Sequence, residues 1–223
     1  MKPGGILIVG LLLAAAVAAG AMVFIPQPSS HLPTREKKPA RADEQSIPAQ
    51  ASKGRQSLSK AQQAEAIAKG TLDRPVQSLL DVRAPLHFGE YEWNDRAIPA
   101  GPTWVRIDVG SQIISVFRAG HEIGTAVIVY GGDNKETPSG KFHILAKDRD
   151  HRSSIYDAAM PYTLQLTGDG VAIHGSTVRS GAATHGCIGV PLEFAKRLFD
   201  QAKVGDEVVI LPAPMEARAQ HAS

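Results

Sequence analysis

Two histidines and the only cysteine of this 223-residue chain lie within fourteen positions, in the segments Ile173-His174-Gly175 and Thr184-His185-Gly186-Cys187-Ile188-Gly189. A cysteine nucleophile needs a base that takes its proton, a group that fixes the tautomer of that base, and backbone N–H donors for an oxyanion. Glycines on both sides of Cys187 permit the unusual backbone angles and close substrate approach of such a site. His174 ends an apolar run typical of a strand, which is a rigid platform for a base. The pattern points to thiol chemistry centred on Cys187, with His174 as a candidate base.

Other interpretations of Cys187 and the histidines are less favoured. One thiol excludes an intrachain disulfide and a cysteine-rich zinc cage. A lone cysteine is most often a small buried hydrophobe, and the nearby histidines and glycines make that interpretation the less favoured one here. His174, His185 and Cys187 could form an open zinc site, but His185 and Cys187 are only two positions apart and no further carboxylate or histidine cluster supports them. His143 and His151 are interpreted as structural. We therefore expect no metal and no cofactor.

The elements that must position these residues are mostly short strands. Apolar and β-branched residues recur at strand spacing in the segments 104–109, 112–117, 125–130, 141–146, 163–167, 171–173 and 207–211. Between Pro191 and Gly205 the apolar period becomes helical. This order of elements predicts a mainly β fold, a β-sandwich-like arrangement of mixed sheets with one or two short helices.

The part of the chain before Thr103 has a different character. Residues 4–25 are an uninterrupted run of 22 apolar or small residues, long enough to span a bilayer. A Pro/Ser-rich basic stretch follows, which cannot bury enough surface to fold. After it, Ser59 could cap a short helix. The predicted segments are a signal anchor or signal peptide (1–25), a disordered linker (26–57), a lead-in with a short helix (58–101), a catalytic domain (102–212) and a tail (213–223).

The net charge of +2 is unevenly distributed along the chain. The first 60 residues contain eight basic and three acidic residues, a net +5, so the remainder carries about −3. Because nucleic-acid-binding domains are usually basic, this distribution argues against a nucleic-acid partner.

The stretch from Trp104 to Leu211 resembles the L,D-transpeptidase catalytic (YkuD) domain. The signature of that family is a histidine followed, after a loop, by Ser/Thr-His-Gly-Cys. Thr184-His185-Gly186-Cys187 matches this core, and His174 stands at the upstream position. Thr137-Pro138-Ser139-Gly140-Lys141-Phe142 is similar to the family's TPxGxF segment, and residues 107–117 are similar to its first hairpin. The match covers about half of the chain.

The resemblance implies a cysteine acyltransferase acting on peptidoglycan stem peptides. Cys187 would attack the carbonyl at position three of a donor tetrapeptide and expel the terminal D-alanine. His174 would take the thiol proton and return it to the leaving amine. An acceptor amine from a neighbouring stem peptide would then receive the acyl group and form a cross-link.

The resemblance also implies roles for groups beside this pair. A backbone or hydroxyl group at Gly175 or Ser176 would orient the base. The N–H groups of His185, Gly186 and Cys187 would receive the oxyanion. His185 itself is not expected to be the base, because it lies only two residues from the thiol on an extended turn.

Two features depart from the family pattern. Gly189 stands two positions after the cysteine, where the family usually has arginine. The loop between His174 and Thr184 holds nine residues, fewer than is usual, and Arg179 within it is interpreted as a solvated residue. Both departures concern the substrate rather than the nucleophile and its base.

Three functions are consistent with these residues. The leading hypothesis is an exported L,D-transpeptidase on the periplasmic or cell-envelope side, tethered to the inner membrane, that cross-links or remodels the cell wall. The second is an L,D-carboxypeptidase or hydrolase, in which water replaces the acceptor amine. The third, motivated by Gly189, is a catalytically silent wall-binding module. The expected partners are stem peptides and, through the N-terminal segment, a membrane; no oligomeric state is predicted.

Overall fold

The computed structural model of the protein describes residues 54–132, 135–154 and 157–212. The predicted anchor at 1–25, the predicted linker up to residue 53 and the predicted tail therefore lie outside the described residues. Neither helix within the described ranges is long and apolar enough to cross a membrane.

The described residues form twelve strands and two helices. In chain order they are β1 (Arg55–Ser57), α1 (Lys60–Ala68), β2 (Ser78–Leu80), β3 (Tyr91–Trp93), β4 (Thr103–Asp108), β5 (Ile113–Arg118), β6 (His121–Val127), β7 (Gly140–His143), β8 (Ala146–Arg152), β9 (Ala159–Gln165), β10 (Ala172–Gly175), β11 (Ile188–Val190), α2 (Leu192–Gln201) and β12 (Glu207–Leu211).

Eight of the strands form a large mixed sheet built around the antiparallel meander of β4, β5 and β6. Its hydrogen-bonded order is β1-β2-β6-β5-β4-β12-β7, and β3 also pairs with β6. Strand β12 returns from the far end of the domain to lie parallel to β4, with Val208 opposite Val105. Apolar residues such as Val105 and Ile107 are fully buried, so this sheet supplies one wall of the core.

The other four strands form a second sheet in the order β11-β10-β9-β8. Strands β10 and β11 run parallel, whereas the other neighbours run antiparallel. One apolar cluster joins the two sheets, with Ile114 from the large sheet, Ile173 from the small sheet and Phe194 from α2. The Phe194 ring meets Trp93 and Tyr91 edge to face at centroid distances of 5.5 and 5.9 Å. The prediction of a mainly β fold with mixed sheets and one or two short helices is confirmed, and the described residues contain two helices.

Both predicted helices are present. Ser59 caps α1 in a reciprocal arrangement: the Gln62 N–H donates to Ser59 Oγ at 3.3 Å, and the Ser59 N–H donates to Gln62 Oε1 at 2.9 Å. Helix α2 follows Pro191 and buries Phe194 and Leu198 against the sheets. Local capping and period therefore determine where these helices form.

The lead-in contains strands in addition to the predicted short helix. Strands β2 and β3 lie within it and extend the large sheet, and β1 forms at the end of the predicted linker. Each of these strands has only three residues, too few for an alternating pattern to be recognised in the sequence. Their structure depends on pairing with other strands, chiefly with β6.

Strand β8 was also missed, and the bounds of several predicted strands shift. The sequence of β8 is Ala-Lys-Asp-Arg-Asp-His-Arg, which has no apolar face, and the strand is formed through its pairing with β9. Strand β6 covers His121–Val127 rather than 125–130, because its pairing with β5 begins directly after the Ala119-Gly120 turn.

Arg55 ties the lead-in to the large sheet. Its buried guanidinium donates to the backbone carbonyls of Glu122 in β6 and Asn94 after β3, and to Ser78 Oγ in β2 at 3.4 Å. The Glu122 carboxylate in turn accepts the Leu80 N–H at 2.8 Å. Burial raises the pKa of Glu122, and the nearby positive charge of Arg55 opposes that rise. The edge of β6 is therefore closed by hydrogen bonds and charge as well as by strand pairing.

We expect Arg55→Met to lower the free energy of unfolding by about 2–4 kcal/mol, because the change leaves buried carbonyls without donors and removes the charge that compensates Glu122. Chemical denaturation of the full-length chain measures this loss. Arg83→Met is the matched control, since the Arg83 side chain is 88% exposed and its removal should leave stability unchanged. Equal stability of the two variants would contradict the role assigned to Arg55.

Candidate active site

The turn that carries the cysteine is held against the segment that follows β6. The Thr184 N–H donates to the Tyr130 carbonyl at 2.9 Å, and the Gly132 N–H donates to the Thr184 carbonyl at 3.2 Å. The Thr184 hydroxyl spans the turn and donates to the Cys187 carbonyl at 2.5 Å. The backbone around Cys187 is thus fixed by hydrogen bonds to the segment after β6 and by a hydrogen bond within the turn itself.

Thr137 links the two sequence motifs. Its hydroxyl accepts the Gly131 N–H at 2.9 Å and donates to the Gly186 carbonyl at 3.1 Å. Gly186 has a φ of +94°, in the left-handed region that favours glycine. A Cβ on Gly131 would lie 2.8 Å from Gly186 Cα, so glycine is also needed there for the close approach. The threonine of the TPxGxF-like segment therefore positions the turn that precedes Cys187.

His174 and Cys187 lie on one face of the small sheet. Strands β10 and β11 pair in parallel with Ile173 opposite Ile188 and His174 opposite Gly189. Because side chains alternate between the two faces, Cys187, two positions before Gly189, faces the same side as His174. Ile173 and Ile188 face the other side and enter the core. The register therefore assigns the candidate base in β10 and the candidate nucleophile, the residue just before β11, to the same face of the small sheet.

The hydrogen bond of His174 defines its tautomer. Its Nδ1 lies 3.0 Å from the Gly175 carbonyl oxygen. A carbonyl oxygen only accepts, so Nδ1 carries the proton and Nε2 of the neutral ring has the free lone pair. Burial lowers the pKa of His174; the hydrogen bond to Gly175 opposes this effect and the nearby His151 adds to it. The imidazole is therefore neutral near pH 7.

The Cys187 thiol is half-buried and protonated near pH 7. It donates to the Gly170 carbonyl, with an Sγ–O distance of 3.4 Å. Burial raises the pKa of Cys187, while a hydrogen bond from the Ala172 backbone and the charge of Lys135 act in the opposite direction. A thiol in this state needs a base to remove its proton before it can act as a nucleophile.

The other predicted residues surround this pair. Gly175 and Ser176 are both candidates to orient the base. Among the described residues, the hydrogen-bond partner of the His174 ring is the Gly175 carbonyl. Gly186 is buried, whereas the His185 side chain is exposed. A Cβ on Gly189 would lie 2.7 Å from Val129 Cγ2 and 2.9 Å from Ser176 Cβ. The position where the family usually has arginine is thus filled by neighbouring side chains.

Several residues near the site carried no recognisable signal in the sequence. Leu86, in the lead-in, packs against a buried cluster that includes Val178 of the loop between His174 and Thr184. Lys135 and Asp169 form an ion pair of 3.4 Å and both act electrostatically on the Cys187 thiol. These residues come together through long-range packing, which neither a motif nor a period reveals.

Comparisons with known proteins agree with the motifs. Residues 102–210 match the family model of the L,D-transpeptidase catalytic domain, YkuD. L,D-transpeptidase 1 of Mycobacterium tuberculosis is 28% identical over 120 residues, which is 46% of this chain and 48% of that protein. The chain therefore aligns with about half the length of the curated relative.

Solved structures of similar proteins include an L,D-transpeptidase from Stackebrandtia nassauensis, with 21% identity, a TM-score of 0.48 and coverage of 52% of this chain and 58% of that one. The crystal structure of Mycobacterium tuberculosis L,D-transpeptidase 1 has 25% identity, a TM-score of 0.43 and coverage of 50% and 62%. The family resemblance seen in the sequence is confirmed by the family model: residues 102–210 belong to the L,D-transpeptidase catalytic domain (YkuD) family.

Proposed function

We propose that this domain is a peptidoglycan L,D-transpeptidase that forms a thioester between Cys187 and a donor stem peptide and transfers the acyl group to an amine. One observation carries the proposal. The hydrogen bond from His174 Nδ1 to the Gly175 carbonyl leaves Nε2 as the basic nitrogen, on the sheet face that also carries Cys187. A base held in one tautomer on the same sheet face as a protonated thiol supports nucleophilic cysteine catalysis.

In the first half-reaction, the Cys187 thiol gives its proton to His174 Nε2 as the sulfur bonds to the carbonyl carbon at position three of the donor. The carbonyl electron pair becomes an oxyanion, and the N–H groups of His185, Gly186 and Cys187 are the proposed donors to it. When the carbonyl re-forms, the C–N bond breaks. His174 returns the proton to the departing D-alanine amine.

In the second half-reaction, an acceptor amine attacks the thioester carbonyl and loses a proton to His174. The C–S bond breaks, and the sulfur leaves as a thiol by recovering that proton. Water in place of the amine would give a carboxypeptidase instead of a cross-linking enzyme. The balance between the two depends on the acceptor, so product analysis with and without an amine distinguishes them.

Gly189 favours a catalytically silent wall-binding module as the competing proposal. The packing of Val129 and Ser176 against Gly189 leaves no space for the family's usual arginine. However, the same packing leaves His174 and Cys187 on a common face, and Thr184 and Thr137 still fix the turn. These contacts support the enzyme over the silent module.

We also propose that the domain is exported and held at the inner membrane on its periplasmic side. The support is the run of 22 apolar or small residues at 4–25, followed by a Pro/Ser-rich basic stretch. Fractionation of cells that express the full-length chain tests this, and recovery of the chain from the cytosol would contradict it.

We expect Cys187→Ala to abolish the acyl adduct and to reduce the release of D-alanine by about 10³-fold or more, because the nucleophile is lost. Mass spectrometry of the intact protein and of the muropeptide products measures both. His143→Ala is a matched control, since this histidine is exposed on β7 and has no predicted role. Cross-linked or trimmed products from Cys187→Ala would contradict the proposal.

The pH dependence of acylation should reflect a neutral thiol and imidazole pair. Because burial lowers the pKa of His174, the base stays neutral in the folded protein at pH values where an ordinary histidine is already protonated. We therefore expect acylation by a tetrapeptide donor to persist below pH 6.5 and to fall only at more acidic pH.

His174→Gln should reduce acylation by about 10²–10⁴-fold at pH 7. Alkylation of Cys187 by iodoacetamide at high pH should persist in this variant, because hydroxide then removes the thiol proton in place of His174. Stopped assays from pH 5 to 10 measure both rates. If the acylation rate already fell while the pH was being lowered towards 7, the result would contradict a lowered pKa at His174.

A further inference from the structure

Lys135 lies directly over the turn that precedes the thiol. A Cβ on Gly186 would lie 3.3 Å from Lys135 Cγ and 3.4 Å from its Cδ, so the lysine stem covers the Gly186 backbone. The Lys135 N–H donates to the Gly132 carbonyl at 3.1 Å and fixes the start of this side chain. The Lys135 stem therefore lies against the residue before Cys187, and the Lys135 charge acts on the thiol.

Asp169 lies in the turn whose Gly170 carbonyl accepts the Cys187 thiol. Its carboxylate accepts the Thr167 hydroxyl, and that hydroxyl accepts the Val171 N–H at 3.0 Å. The next residue, Gly170, provides the carbonyl to which the Cys187 thiol donates. The turn that holds the thiol thus also presents a carboxylate beside it.

The two charges form an ion pair, and both act electrostatically on the Cys187 thiol. Lys135 Nζ lies 3.4 Å from Asp169 Oδ2, with side-chain exposures of 42% and 70%. An ion pair this exposed contributes little to stability, so another carboxylate could replace Asp169 at small cost. Position 189 has no room for a side chain that could carry a competing positive charge.

We propose that Lys135 is a specificity-determining residue that binds the carboxylate of a peptide ligand beside Cys187. Asp169 occupies the place of that carboxylate in the free protein. The ligand class is a short peptide with a free C-terminal carboxylate. The identity of this peptide as a stem-peptide donor rests on the proposed function, whereas the anion site beside the thiol does not.

Alkylation of Cys187 in the full-length chain tests the anion site without any enzyme activity. Iodoacetate is anionic and iodoacetamide is neutral, and in both cases the sulfur displaces iodide. The iodoacetamide rate measures the reactivity of the thiol itself. The ratio of the two rates therefore isolates the attraction of a carboxylate to the site.

Lys135→Gln should lower the iodoacetate-to-iodoacetamide ratio by about fivefold, and Asp169→Asn should raise it by about threefold. Lys135→Arg should keep the wild-type ratio. Lys196→Gln removes an exposed charge on α2 and should change nothing. The differences in this ratio between the variants and the wild type should shrink in 1 M salt, where interactions between exposed charges more than about 3 Å apart are screened. A ratio that does not respond to Lys135→Gln, or that falls in Asp169→Asn, overturns the proposal.

A second measurement separates this inference from the proposed function. With stem tetrapeptide donors, Lys135→Gln should raise KM for the free acid about fivefold and leave KM for the C-terminal amide unchanged. Equal effects on the two donors would contradict carboxylate binding by Lys135. Failure of the wild-type chain to process either donor would contradict the proposed function, and the alkylation ratio would still decide the anion site.

Discussion

The parallel pairing of β10 with β11 is the constraint on which the rest of the site depends. Its register places Ile173 and Ile188 in the core and leaves His174 and Cys187 together on the opposite face. A shift of β11 by one residue would turn Ile188 out of the core and move Cys187 to the face opposite His174. The free energy of the apolar core therefore also fixes the geometry of the reactive groups, and no separate interaction between them is needed to hold the register.

Burial has the same chemical effect on both members of this pair. It raises the pKa of the Cys187 thiol and lowers the pKa of His174, so each is held in its neutral form. A neutral pair avoids the desolvation cost of a buried thiolate and imidazolium in the free protein. The proton then moves when a substrate carbonyl is present to accept the sulfur, and charge develops at the oxyanion rather than at a resting thiolate.

The sequence predicts the parts of the structure that depend on nearby residues. The cap at Ser59, the helix after Pro191 and the turn from Thr184 to Cys187 are local patterns, and the structure contains all three. Strands β1 to β3 are too short to show a period, and β8 is charged along its length, so only tertiary pairing defines them. Lys135 and Asp169 meet across 34 positions of sequence, a contact that follows from the fold alone.

The strands that cover the edge of β6 determine how far the chain can be shortened from its N-terminal side. All seven residues of this strand are buried, and β2 and β3 cover its outer side although both precede the family match at residue 102. A fragment trimmed to that match would present unpaired backbone groups along a strand that is otherwise buried, a surface that recruits other chains. The boundary of sequence similarity and the boundary of the large sheet are therefore different positions, because the sheet already includes Arg55.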